Sequence, residues 1–395
     1  MAVCSCGYDA SRPFKVDPQE AKESPGPIET FLLRNKEMPG QQRELALKFR
    51  GSASEYFRIW IVNLCLTLLT LGIFSAWAKV RKKRYFYSHT TLDGTPFQYL
   101  GQPVPILKGR VIAAAAFLVY YASNHFFTSL LPYVFGAGAV LAPWVIVRSA
   151  AFNARYSAFR NMTFHFDGGY ADALKEIYVW GLIPFFVLGT MFNWWGKYAV
   201  AAVLVIVFSF AFPWWIKRLK NFLIGHTSYG GRNGAFSATG GQFFKVYFIS
   251  GLIMAAFLIS TGLLAAMLLA FTKKSQLIAL LALVPIYAGY VLAFAYVQAH
   301  SSNVVWNHTR LGPLRFQSTL LGRGMAKLYV TNALSIIASL GLLIPWAVMR
   351  TLKYRADNLR VLQEGELAEF QGSDLLAVEA IGAETVDFFD VDLSL

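Results

Sequence analysis

Long uncharged runs alternate with short basic loops along most of this chain. Nothing formally charged lies between Arg110 and Arg148, Glu176 and Lys197, Lys197 and Lys217, Lys245 and Lys273, or Lys274 and Arg310. A helix needs about 20 apolar residues to cross hydrocarbon, and each gap holds at least one such stretch. The pattern predicts six crossings, at residues 111–130, 131–147, 177–195, 198–216, 246–271 and 277–297. Two flanking apolar segments, 57–78 and 330–349, are interrupted by Thr70-Leu71-Gly72 and Ser339-Leu340-Gly341. Arg43, Lys48, Arg50 and Arg58 precede or open the first of them, so a full crossing would carry basic residues outward against the charge rule. Both segments therefore read as broken, re-entrant pairs, with eight complete crossings as the rival. Ser52 with Glu55 fits a capping box at the start of the first. The fold expected is an all-α polytopic membrane protein.

Composition agrees with that solvent. Hydrophobic residues make up 56% of the chain and charged ones 15%, against roughly 25% charged in an ordinary soluble domain. Twenty Lys and Arg fall in the loops 79–110, 148–176, 217–245 and 298–328; the alternate turns hold only Lys197, Lys273 and Lys274. That asymmetry places the basic loops, and both termini, in the cytoplasm of a bacterial inner membrane. The formal charge of +14 does not point to nucleic acid, because the cations sit in loops between apolar runs and form no continuous surface. Anionic lipid headgroups are the natural partner. Arg81, Lys82, Lys83 and Arg84 read either as a headgroup anchor or as a solvated charge run.

Residues 1–44 carry Pro13, Pro18, Pro25, Pro27 and Pro39 and read as a disordered cytoplasmic tail. Residues 361–395 hold nine acidic residues and no basic one, either a free acidic tail or one that docks on the basic loops through Phe388 and Phe389. The membrane domain expected between them is 45–360. Cys4, Cys6 and Cys65 have no metal-site spacing, and no apolar leader opens the chain.

A weak internal repeat is visible. Ala76-Trp77, Pro143-Trp144, Pro213-Trp214 and Pro345-Trp346 each begin a run that continues through basic residues toward a Thr-containing turn, with a degenerate copy from Val297. Trp77, Trp144, Trp214 and Trp346 read as interfacial aromatics. Asp93-Gly94, Asp167-Gly168, Asn233-Gly234 and Gly312-Pro313 suggest short cytoplasmic β-hairpins under the helices. His89-Thr90, His226-Thr227 and His308-Thr309 recur at one place, with Asn161-Met162-Thr163 there in the second copy. If pseudo-symmetry gathers His89, His226 and His308, they form a metal or pH-sensing site; otherwise they cap helix ends.

The runs Gly51-Ser52-Ala53-Ser54-Glu55-Tyr56-Phe57 and Leu69-Thr70-Leu71-Gly72-Ile73-Phe74-Ser75-Ala76-Trp77-Ala78-Lys79-Val80-Arg81, with the ending Asp387-Phe388-Phe389-Asp390-Val391-Asp392, resemble the YjgN-like family of bacterial inner-membrane proteins. The likeness spans about residues 45–395. It implies a polytopic inner-membrane protein of unknown function, with no catalytic residue to carry over.

Catalytic chemistry is thinly supplied. Between Tyr56 and Arg360 the only acids are Asp93, Asp167, Asp172, Glu176 and Asp357, none inside a span where proton coupling would need one. No metalloprotease, phosphate-loop or nucleophile-elbow motif appears, so neither an enzyme nor a cofactor is expected. Two readings remain: a channel or carrier for a small solute, favoured by the interrupted terminal segments, and a non-catalytic scaffold recruiting partners through hairpins and acidic tail. A homo-oligomer or a membrane-protein partner fits either.

Overall fold

The computed structural model describes residues 43–176, 197–271 and 275–364. Strands β1 (Arg43–Leu45) and β2 (Leu47–Phe49) precede helices α1 (Ala53–Leu69) and α2 (Ser75–His89). The hairpin β3 (Thr90–Leu92) and β4 (Thr95–Tyr99) leads to α3 (Pro103–Phe126) and α4 (Leu131–Tyr156). Strands β5 (Ser157–Phe159) and β6 (Met162–Phe166) precede α5 (Tyr170–Leu174) and, further on, α6 (Lys197–Gly225). Then come β7 (Thr227–Tyr229), β8 (Arg232–Phe236), α7 (Gly240–Phe271) and α8 (Ser275–Asn307). Finally β9 (Thr309–Leu311) and β10 (Leu314–Ser318) precede α9 (Gly322–Ala338), α10 (Ile344–Asp357) and β11 (Leu359–Gln363).

These elements make five arms, four of them a strand, a rising helical limb, a descending limb and a strand; in the third, α5 and α6 stand between β6 and β7. Within each arm the two strands pair antiparallel, as β2 with β3 or β10 with β11. Between arms the hairpins β3-β4, β5-β6, β7-β8 and β9-β10 continue the ladder. The eleven strands run in the order β1-β11-β10-β9-β8-β7-β6-β5-β4-β3-β2. Only Ala46 separates β1 from β2, so the sheet curls until its two ends meet in one stretch of chain. There the Ala46 carbonyl accepts the Asp93 N–H at 3.0 Å. Closure leaves no long strand edge unpaired.

A buried apolar cluster draws Leu45, Leu92, Phe159, Tyr229, Leu311 and Val361, among others, from eight of the strands. One face of the ring is thus packed with side chains. Residues beside turns meet their steric demands: Asp93 and Gly94 have φ of 51° and 80°, Gly230 and Gly231 54° and 74°, as a tight hairpin requires.

Several expectations need correction. The all-α class is overturned by the eleven-stranded sheet: strands of three to five residues are too short to show the two-residue period strongly, and the hairpins join one another. Six crossings are likewise too many. Among the described residues four helices are long and apolar enough to cross: Pro103–Phe126, Thr128–Tyr156, Gly240–Ala270 and Leu281–Asn307. The expected crossing at 177–195 lies outside the described residues, and α6 is not one of the four. The four coincide with the expected crossings at 111–130, 131–147, 246–271 and 277–297, so the excess in the count is the pair 177–195 and 198–216.

Two hairpin turns were also misplaced. The second turn is Arg160-Asn161, with φ of 48° and 62°, and the third is Gly230-Gly231. Gly168 and Gly234 serve close approach instead: a Cβ at Gly234 would collide with the Ile224 carbonyl, and one at Gly168 with the Phe166 ring. Nor does a capping box form. Ser52 occupies the N-cap position of α1 without a capping bond; its hydroxyl meets Ser54 at 2.9 Å, while Glu55 accepts from the Tyr85 hydroxyl at 3.1 Å. The ordered sheet also extends past the 45–360 limits at both ends, since β1 starts at Arg43 and β11 ends at Gln363.

The first and fifth arms are short. Their limbs turn over at Thr70-Leu71-Gly72 and Ser339-Leu340-Gly341, where Leu71 and Leu340 have φ of 50° and 51° and the glycines 93° and 92°. Thr70 Oγ1 accepts the Phe74 N–H at 2.9 Å and Ser339 Oγ the Leu343 N–H at 3.0 Å, so the two turns are the same device.

Candidate functional site

The descending limbs α2, α4, α6, α8 and α10 share one register. Trp77, Trp144, Trp214, Tyr296 and Trp346 each lie twelve residues ahead of His89, Tyr156, His226, His308 and Asn358. At 1.5 Å per residue, every aromatic stands about 18 Å above the strands. The residue before it is small or proline and fully buried: Ala76, Pro143, Pro213, Ala295 and Pro345. Four residues after it comes Arg81, Arg148, Arg218, His300 or Arg350, one turn nearer the strands.

That spacing puts a cation over an aromatic face. Arg148 lies 5.8 Å from the Trp144 ring, Arg218 4.5 Å from Trp214 and Arg350 5.2 Å from Trp346. In the first arm Arg81 lies 5.4 Å from Phe74, whose ring stacks on Trp77 at 6.1 Å. In the fourth, the Tyr296 and His300 rings are 4.2 Å apart. The four tryptophans expected at the interface therefore belong to one level, and Arg148, Arg218 and Arg350, which are not among the residues singled out from sequence, carry a legible signal in the Trp-x-x-x-Arg spacing.

The run Arg81-Lys82-Lys83-Arg84 divides. Arg81 and Lys82 are exposed, Lys82 resting 5.8 Å from the Phe86 ring. Lys83 turns inward, donating to Asn153 Oδ1 at 3.1 Å and lying 5.4 Å from Tyr99. Arg84 donates to the Gly101 carbonyl at 3.1 Å.

Each of the three histidines is anchored through Nδ1 to its own helix, while Nε2 reaches a neighbour in two of them, Glu55 at 3.8 Å from His89 and Gln242 at 2.9 Å from His308. His89 Nδ1 meets the Tyr85 carbonyl at 2.7 Å, His226 Nδ1 that of Phe222 at 2.8 Å and His308 Nδ1 that of Val304 at 2.9 Å. A carbonyl only accepts, so each Nδ1 carries the proton. The next residues repeat the contact, Thr90, Thr227 and Thr309 donating to Phe86, Leu223 and Val305 carbonyls at 2.7 to 2.8 Å. In the second arm this place belongs to Ser157, which donates to Asn153 at 2.8 Å, and not to Asn161-Met162-Thr163. Asn358 serves the fifth, donating to Tyr354 at 2.8 Å. These groups satisfy the last carbonyls of each limb, and the described residues hold no group of three or more His, Cys, Asp or Glu able to bind a metal.

Below this level the strands pack through a buried apolar cluster. Tyr229 donates to the Phe159 carbonyl at 2.8 Å across the inner face, and burial pushes its phenol up to about 12, so it stays a donor. Three ion pairs surround the closure: Arg43 with Asp93 at 3.3 Å, Arg360 with Glu44 at 3.7 Å and Arg315 with Glu364 at 2.6 Å.

A family model described as "Bacterial protein of unknown function (DUF898)" matches residues 44–388. The chain belongs to this family. The DUF898 match begins within β1 and takes in all five arms. Inner membrane protein YjgN of Salmonella typhimurium is 30% identical over 125 residues, 31% of this chain and 31% of that protein. Inner membrane protein YjgN of Escherichia coli K12 is 37% identical over 73 residues, 18% of this chain and 17% of that protein. The matched stretches thus span less than a third of either relative's length. No solved structure matches. With four helices long and apolar enough to cross a membrane, this DUF898 chain is an integral inner-membrane protein of unknown molecular function.

Proposed function

We propose that the protein is a non-catalytic membrane scaffold whose strand ring, held about 18 Å from the tryptophan level, is the surface that meets other macromolecules. One observation carries the reading: the sheet closes on itself and its inner face is filled by a single apolar cluster. A packed ring offers a rigid outer face and a rim of turns. It offers a solute no polar-lined path along its axis. The excess of loop cations favours a cytoplasmic position for this ring and for both termini. A second copy of the chain or another membrane protein is the expected partner.

Photo-crosslinkers placed at the exposed turn residues Asp93, Arg160 and Arg232, in cells, should recover one reproducible macromolecular partner or the chain itself. Recovery of lipid alone from all three positions would defeat the scaffold reading. The carrier reading for a small solute keeps one supporting feature, the paired helix interruptions at Leu71-Gly72 and Leu340-Gly341. Liposomes containing the purified protein should remain sealed to a broad solute panel; saturable flux of any member would reverse the order of the two readings.

A further inference from the structure

The shared register fixes heights, and those heights make the first arm unlike the rest. Trp77 is only the third residue of α2, so the turn from Thr70 to Phe74 lies about one helical turn above the tryptophan level. Tryptophan rings settle at the headgroup boundary. The tip therefore ends just inside the hydrocarbon, and its side chains match that solvent: Leu68, Leu69, Leu71 and Ile73 are all exposed, Leu71 at 95%. One turn below the tip's aromatic pair stand Arg81 and Lys82, both exposed, their contacts being the ring faces of Phe74 and Phe86.

The other arms lack this combination. Arm five has the same tip, with Leu340 exposed at 95%, but its Arg350 donates to Thr331 Oγ1 at 2.6 Å and Asn332 Oδ1 at 3.3 Å; Val62 stands where Thr331 would be in arm one. In arm three, Arg218 is paired with the Glu176 carboxylate at 3.0 Å, showing that this position accepts an oxyanion when one is supplied. Arm four has His300 there. In arm two, Arg148 follows a long apolar helix and its next neighbour, Ser149, is fully buried, so neither a second cation nor a tip stands beside it.

We propose that the short first arm binds the phosphate of an anionic phospholipid between Arg81 and Lys82, with an acyl chain lying over the Leu68-to-Ile73 tip. Two adjacent cations at headgroup height supply the charge attraction. The apolar tip supplies burial a free phosphate has no use for. The site does not depend on whether the strand ring recruits a partner.

The test uses the full chain in nanodiscs of phosphatidylcholine containing a minor fraction of phosphatidylglycerol, with retained lipids counted by native mass spectrometry. The parent should retain phosphatidylglycerol selectively. The Arg81→Gln/Lys82→Gln double variant should lose that preference by roughly fivefold for each cation removed, while Arg310→Gln on the strand ring changes nothing. Both altered residues are exposed, so an unchanged melting midpoint is the folding control; Lys82→Gln alone, expected at roughly half the logarithmic loss, stands in should the double variant melt early. No selectivity in the parent, or selectivity untouched by either variant, overturns the proposal. Displacement of the retained lipid by inorganic phosphate at matched concentration would also overturn it, assigning the site to free phosphate.

Discussion

The short first and fifth arms and the long second and fourth arms are the same below the tryptophan level and different above it. Below, each descending limb carries an aromatic, a buried small residue before it, twelve residues of stem, an i−4 side-chain cap and a strand in the closed ring. Above, α7 and α8 continue for 32 and 33 residues in all, whereas α1 and α2 turn over almost at once. The difference separates two jobs. Stem and strand define the fold, because their packing partners are other protein atoms. The upper limb answers only to lipid, so its length is free to vary from arm to arm.

Truncation on the two sides of that level is the most demanding test. Phe152, in the stem of the second arm, is fully buried against Ala76, Val80 and Tyr99, and Phe152→Ala should cost about 3–5 kcal/mol. Leu263→Ala in the upper part of α7, where the side chain is exposed, should stay within about 0.5 kcal/mol. Melting midpoints in one detergent compare them. Equal losses would mean that the upper limbs bear as much of the fold as the stems.

The two short arms differ from each other at one matched position. Asn332 Nδ2 donates to the Ala347 carbonyl at 3.3 Å and to Thr351 at 3.1 Å. Asn63 holds the same place in arm one, equally buried, yet its Oδ1 meets no partner. Removing a partner from a buried bonded group costs about 1–3 kcal/mol, whereas removing an orphan group is close to neutral. Asn332→Ala should therefore lower the melting midpoint clearly, and Asn63→Leu should leave it or raise it. A loss at Asn63 matching that at Asn332 would mean the arms are more alike than their hydrogen bonds indicate.

The caps test sameness in place of difference. Thr90 in the short first arm and Thr227 in the third make the same bond at 2.8 and 2.7 Å. Thr90→Val and Thr227→Val should each cost roughly 1 kcal/mol, and a gap of more than about 1 kcal/mol between them would break the equivalence of the stems. The adjacent His89→Ala variant should bind zinc no differently from the parent, because the described residues gather no group of three or more His, Cys, Asp or Glu around it.

How much of this was legible in advance follows from which interactions are local. Helix interruptions at Gly72 and Gly341, hairpin turns at Asp93-Gly94 and Gly312-Pro313, and the pairs of a small residue or proline with Trp depend on residues within a few positions of one another, and each is legible directly. Ring closure depends on Leu45 meeting Val361, a contact between the two ends of the described chain that leaves no local trace. The Arg160-Asn161 turn carries little sequence signal, because Arg rarely takes positive φ, whereas Asp167-Gly168 carries a strong one and lies past the end of β6. At the candidate site, the basic run 81–84 is visible, but not its division between Arg81 and Lys82, which lie over ring faces, and Lys83 and Arg84, which bond Asn153 and Gly101 of the second arm. The arginines of the other arms form no run; their signal is a four-residue spacing from Trp.

The smallest effect lies at the seam, the one place where the first and fifth arms are joined by pairing between chain ends. Arg43 and Asp93 are 3.3 Å apart, with side chains 58% and 34% exposed. Water screens such a pair, and both long side chains lose rotamer freedom in making it, so exposed pairs contribute about 0.2–1 kcal/mol. Arg43→Gln should lower the melting midpoint slightly in dilute buffer and hardly at all in about 1 M salt, where the Debye length falls to about 3 Å. The backbone ladder of β1 on β11 and the buried Leu45 remain in that variant, and these, being insensitive to salt, are what hold the ring shut. A large loss that persists at high salt would mean that the charges close the ring and the apolar cluster merely fills it.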